Sequence, residues 1–97
     1  MAIDEKLLQD LMNAVRVKTE KASNEIEDLS EACRMDLKIA GVYVSDNFSD
    51  PLEKHVLKLY CKANYGYDSD SEKFRAAYAA LKDSMALCGD YREKKDV

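Results

Sequence analysis

DPLEKHVLKLYCKANYG, residues 50–66, is the stretch whose reading decides how this chain folds. Asp50 stands at an N-cap, where its carboxylate accepts from backbone N–H groups that a helix start leaves free. Pro51 follows at the first helical position, where its missing N–H costs nothing and its fixed φ suits the helix. Glu53, three residues after Asp50, completes capping-box spacing. Leu52, Val56, Leu59, Tyr60 and Ala63 recur at helical period and predict one buried face. Gly66 supplies the stop. His55 lies beside that face and reads as a partly buried, hydrogen-bonded side chain rather than a catalytic base. The stretch predicts a central helix on which the others pack.

Outward from it, the same period recurs three times. Asp4 predicts a cap for a first helix over 5–15, with Ile3 and Leu8 at staple spacing. Its apolar stripe is Leu8, Leu11, Met12 and Val15, widened by Leu7 and Ala14, and Arg16 and Lys18 end it with positive charge. A second helix is predicted over 25–40, capped by Asn24 with Glu27. Its stripe is Ile26, Leu29, Cys33, Leu37 and Ala40, with Gly41 as the left-handed residue past its end. Arg34, Asp36 and Lys38 are expected to face solvent. A fourth helix over 71–88 carries Phe74, Ala77, Tyr78, Leu81, Met85 and Cys88, a slim middle of alanines, and Gly89 as its stop. Ser69 and Glu72 are at capping-box spacing for its start.

The connectors are short. Residues 17–23 are polar and read as a link that can partly continue either neighbouring helix. In residues 42–49, VYVSDNFS, Val42 and Val44 share one side of an extended segment and Tyr43 takes the other. With Phe48 beside it, this piece either folds back on the helices or meets another chain. Tyr65 and Tyr67 flank Gly66 and read as core caps with wet hydroxyls. The acidic DSDS at 68–71 lacks the glycine and distal glutamate of a calcium loop and reads as a helix start. Residues 90–97, DYREKKDV, read as a charged, mobile end.

Composition bounds the class. Ninety-seven residues, 46% hydrophobic, make one domain with one core. One proline and three glycines favour long helices over many strands. The reading is an all-α fold, a small bundle of about four helices with one short extended segment between helices 2 and 3. Formal charge is −4, the wrong sign for a protein that grips phosphate over a broad face. Cys33, Cys61 and Cys88 form no CxxC and read as reduced, buried small hydrophobes. The N-terminal MAIDEKLL carries no apolar signal core, and no apolar run is long enough to span a membrane. One histidine and no metal-ligand spacing leave little for catalysis, so neither enzyme activity nor a cofactor is expected.

The order of elements resembles a known family. EIEDLSEACRMDLKIAGV is followed by DPLEKHVLKLYCKANYGYD, then SEKFRAAYAALKDSMALCGDY and a charged end. The most telling parts are the DPL opening, the YCKANYGYD exit and the LCGDY close. Over residues 7–91 this is similar to the phage head–tail connector family, also called phage DNA-packaging proteins. The resemblance implies a helical subunit, residues 1–90, with a charged C-terminal segment, residues 91–97. Copies of such a subunit form a ring on the portal of a filled capsid, extend the DNA channel and offer a docking surface to the tail or its stopper. It implies assembly in the host bacterial cytoplasm, a final place at the virion head–tail junction, no membrane and no cofactor. Contacts in the family come from loops and the C-terminal segment, which carry over here to Val42, Tyr43, Val44, Phe48, Tyr91, Arg92, Lys94 and Lys95. DNA passes through without specific binding, and an acidic wall suits such passage. Glu25, Glu27, Asp28 and Glu31 are candidates for that wall by density, and a solvated outer face explains them equally.

The competing reading is a small helical nucleic-acid-binding regulator. Helix 4 carries Lys73, Arg75 and Lys82, but Glu72 and Asp83 sit among them.

Overall fold

The computed structural model describes residues 4–16, 20–45, 48–65 and 70–92. Four α-helices and one short 3₁₀ turn make up the fold, and no strand occurs among the described residues. The helices are α1 (Glu5–Ala14), α2 (Glu20–Ile39), α3 (Pro51–Tyr65) and α4 (Ser71–Leu87). The 3₁₀ turn is Gly89–Tyr91. α3 packs on all three other helices and most extensively on α4.

The start of α1 follows from one side chain. Asp4 Oδ1 accepts from Leu7 N at 2.8 Å. Leu7, Leu11 and Met12 turn inward, and the helix ends before Arg16, whose φ of 64° breaks it. The staple residue Ile3 and the basic Lys18 lie outside the described residues.

α2 begins five residues before the predicted 25. Glu20, Lys21 and Ala22 are good helix formers, and Ala22 is buried, so tertiary packing holds the extra turn. Asn24 is therefore an exposed interior residue and caps nothing. Ile26, Cys33 and Leu37 lie in the core, whereas Ala40 is exposed. The far end follows its sequence signal. Gly41 has φ 88°; its N–H donates to Lys38 O at 2.9 Å and Val42 N–H donates to Leu37 O at 2.8 Å. This pair of bonds is a Schellman ending, and Val42 and Leu37 close it with their buried side chains.

α3 is capped as its sequence predicts. Leu52 N donates to Asp50 Oδ2 at 3.2 Å, and Asp50 N donates back to Glu53 Oε1 at 3.3 Å. Its buried surface is wider than one stripe. Val56, Leu59 and Ala63 are buried, and so are Leu57 and Cys61. The extra burial follows from position: a helix covered by three neighbours hides more than one face. Leu52, expected inside, is 37% exposed, and His55, expected half-buried, is exposed. Gly66 and Tyr67 lie outside the described residues.

α4 buries Tyr78 and Met85 fully and Phe74 and Leu81 in part. Its N-cap is Asp70, which makes no side-chain capping bond; Ser69 lies outside the described residues. Ala77 and Cys88 are exposed, contrary to their predicted place in the stripe. Gly89 has no left-handed φ and instead opens the 3₁₀ turn. That turn ties the C-terminal residues back to the body. Tyr43 N donates to Tyr91 O at 2.7 Å, and the Tyr91 hydroxyl donates to Asp50 Oδ2. Residues 90–92 are thus placed by specific bonds rather than free.

Candidate interaction surface

The described parts of the segment, 42–45 and 48–49, fold back on the protein's own helices. Val42 and Phe48 are fully buried, and Val44 packs partly buried against the same core. Phe48 sits at a φ of 49°, a left-handed value that costs a bulky residue roughly 1–2 kcal/mol. Burial and the Arg34 guanidinium, 4.7 Å from the ring centre, hold it there.

Beneath it a polar knot fixes the loop to α3. Glu53 is only 6% exposed. Its carboxylate accepts from Ser45 Oγ at 2.7 Å, Ser45 N at 3.2 Å and Asp50 N at 3.3 Å. Arg34 donates to Ser45 O at 3.0 Å. Arg34 is therefore a structural cation, not the solvated one its position in the sequence implied.

Asp36 departs from expectation in the same way. It accepts from the Tyr78 hydroxyl at 2.6 Å and from Lys82 Nζ at 3.0 Å, joining α2 to α4. Burial alone raises the carboxyl's pKa, but the Tyr78 and Lys82 hydrogen bonds outweigh it and hold the group below the usual range. Burial pushes the Tyr78 hydroxyl well up, helped by Cys33 and Asp36. Burial also pushes the thiols of Cys33 and Cys61 up to about 12, which makes them poor nucleophiles. Cys88, by contrast, is exposed. Among the described residues no buried side-chain polar atom lacks a partner, and no group of three or more His, Cys, Asp or Glu is placed to hold a metal ion. No described helix is long and apolar enough to cross a membrane.

The eight residues proposed for contacts therefore divide. Val42 and Phe48 face the protein's own core, so their side chains are not on offer to a partner. Tyr43 and Val44 are half-buried, Tyr91 is tied to Asp50, and Arg92 is exposed. Lys94 and Lys95 lie outside the described residues. The apolar side chains left in solvent are others. Ile39 is 82% exposed, Leu87 85% and Met35 55%. The signal for them was present: Met35 and Ile39 are four apart, off the buried stripe of α2, and Leu87 is off that of α4. Ala76, Ala77, Ala79 and Ala80 are exposed as well, so the middle of α4 is slim and uncharged on its outer side, between Arg75 and Asp83.

Charge on this surface is segregated. Residues 20–31 hold five carboxylates and one lysine. Glu25 and Asp28 are exposed and flank a groove of about 490 Å³, whose other walls are Leu29, Ala32, Asn64 and Tyr65. On α3 the one carboxylate, Glu53, is buried, so the outward charges are Lys54, Lys58 and Lys62. The cations of α4 expected for a recognition helix are largely engaged: Lys82 with Asp36, and Arg75 with Glu72 and with Ala63 O.

Comparison with family models, curated proteins and solved structures finds no match to this chain.

Proposed function

We propose that the chain is a non-enzymatic structural subunit of a phage or prophage head–tail connector, assembling with copies of itself on the portal and extending the DNA channel toward a tail or stopper protein. The observation that carries this is the trio Met35, Ile39 and Leu87, large apolar side chains left in water by a body whose core is otherwise closed. Contiguous exposed apolar surface marks protein contacts, and Met35 and Ile39 stand one turn apart on α2. The all-α architecture and the order of its elements support the reading, as does the resemblance carried by the DPL, YCKANYGYD and LCGDY segments. The polar side chains Glu53, Asp36 and Tyr78 support it too, because they are engaged in holding elements together. The net charge of −4 suits a channel that DNA must pass rather than grip.

The test is binding to assembled portal rings, followed by electron microscopy. The expected result is an added ring of density on the portal. Loss of that density is expected when Ile39 and Leu87 are replaced by serine. Portal rings that stay bare at saturating protein would overturn the proposal.

A further inference from the structure

The acidic groove and the lysine stripe point to each other. The groove offers two carboxylates beside the apolar side chains of Leu29 and Ala32. Such a site fits a side chain with an apolar stem and a cationic head, which describes lysine. Lys54, Lys58 and Lys62 recur every four residues along α3 and so present one row of such heads. The row runs about 12 Å at 1.5 Å per residue, against about 10 Å for Glu25 to Ala32. Among the described residues no ion pair within the chain engages Glu25, Asp28, Lys54 or Lys58, so these charges are unspent internally. Lys62 is half-buried, with its ammonium 5.0 Å from the centre of the Phe74 ring.

We infer that the groove bounded by Glu25 and Asp28 receives the Lys54–Lys58 row of a second copy of this chain. A chain of net charge −4 repels itself on average, so self-association needs a local match of opposite sign, and this pair of patches supplies one. The inference names surfaces for the self-association in the proposed assembly, and rests on that reading.

The experiment is a charge swap read by sedimentation velocity at millimolar protein and low salt. Wild type is expected to self-associate, and added salt to reverse it. K54E/K58E and E25K/D28K are each expected to weaken association at least about tenfold. Mixing the two is expected to restore it, because the acidic groove of one then meets the lysine row of the other. Far-UV circular dichroism checks that each variant keeps the helical fold. Carbodiimide coupling gives a second readout, and the expected product joins Lys54 or Lys58 to Glu25 or Asp28. A wild type that stays monomeric throughout, or association that the swaps leave unchanged, overturns the inference. So does a lysine row that shifts duplex DNA at low salt while no self-association occurs. Each of these leaves portal binding through Ile39 and Leu87 to stand or fall on its own test.

Discussion

At the scale of single residues, Glu53 is what ties the segment before α3 to that helix. It is a buried carboxylate with three donors, from Ser45 and Asp50. Glu53→Ala leaves those donors without an acceptor and is expected to cost about 3 kcal/mol in denaturant unfolding. Glu53→Gln keeps one acceptor oxygen and is expected to recover part of that. Phe48→Ala is expected to cost about 4 kcal/mol, since it removes a fully buried ring and leaves the strained backbone in place. Titrating groups set the pH limits. The carboxyl of Asp36 is held below its ordinary value of 3.8, so its contribution is present above that pH and is lost as pH falls through the lowered folded value. The thiols of Cys33 and Cys61 are raised from 9.0 to about 12, so theirs is present below 9.0 and fades as pH climbs toward 12. Unfolding midpoints measured across pH are expected to fall at both ends. Asp36→Asn is expected to flatten the acid limb, and Cys61→Ala the alkaline one.

At the scale of elements, the two described glycines separate clearly. Gly41 has a left-handed φ that α2's ending requires, and Gly89 does not. Gly41→Ala is expected to cost about 1 kcal/mol although nothing stands in the way of the added carbon. Gly89→Ala is expected to be neutral or slightly stabilising by chemical denaturation. These positions also show what sequence could reveal. Asp4, Asp50–Pro51–Glu53 and Gly41 act on backbone groups within a few residues of themselves, so spacing alone exposes them. Asn24 has the same local pattern but is overruled by Ala22, whose burial carries α2 back to Glu20. Leu57 escaped the single-stripe reading because three helices cover α3, whereas Cys61, off the stripe, is buried as its residue type led one to expect. The ties from Asp36 to Tyr78 and from Tyr91 to Asp50 span more than forty residues and have no local signature.

At the scale of the whole molecule, the body is 40 × 27 × 19 Å, and its surface, not its interior, distinguishes it. Of the candidate contact residues in the loop, Val42 and Phe48 are buried in the protein's own core for a physical reason. An apolar loop beside an incomplete core serves that core first, which is where Val42 and Phe48 go. Met35, Ile39 and Leu87, with Leu52 at the margin, are apolar positions at which none of the described helices lands. Replacing Ile39 and Leu87 by serine is expected to change unfolding free energy by no more than about 0.5 kcal/mol each, as for other surface sites. A much larger loss of stability would mean that these side chains support the isolated fold.

The unequal placement of the three sulfurs has a practical corollary. Cys88 stands in water while Cys33 and Cys61 are sealed between helices. A thiol-reactive dye should therefore attach once to each native molecule, and two further additions should occur only when the bundle opens. Counting adducts by mass against exposure time would then clock the opening of the α2–α3 seam directly. The same single handle allows a fluorophore to be set at the end of α4, beside Leu87, without touching the interior.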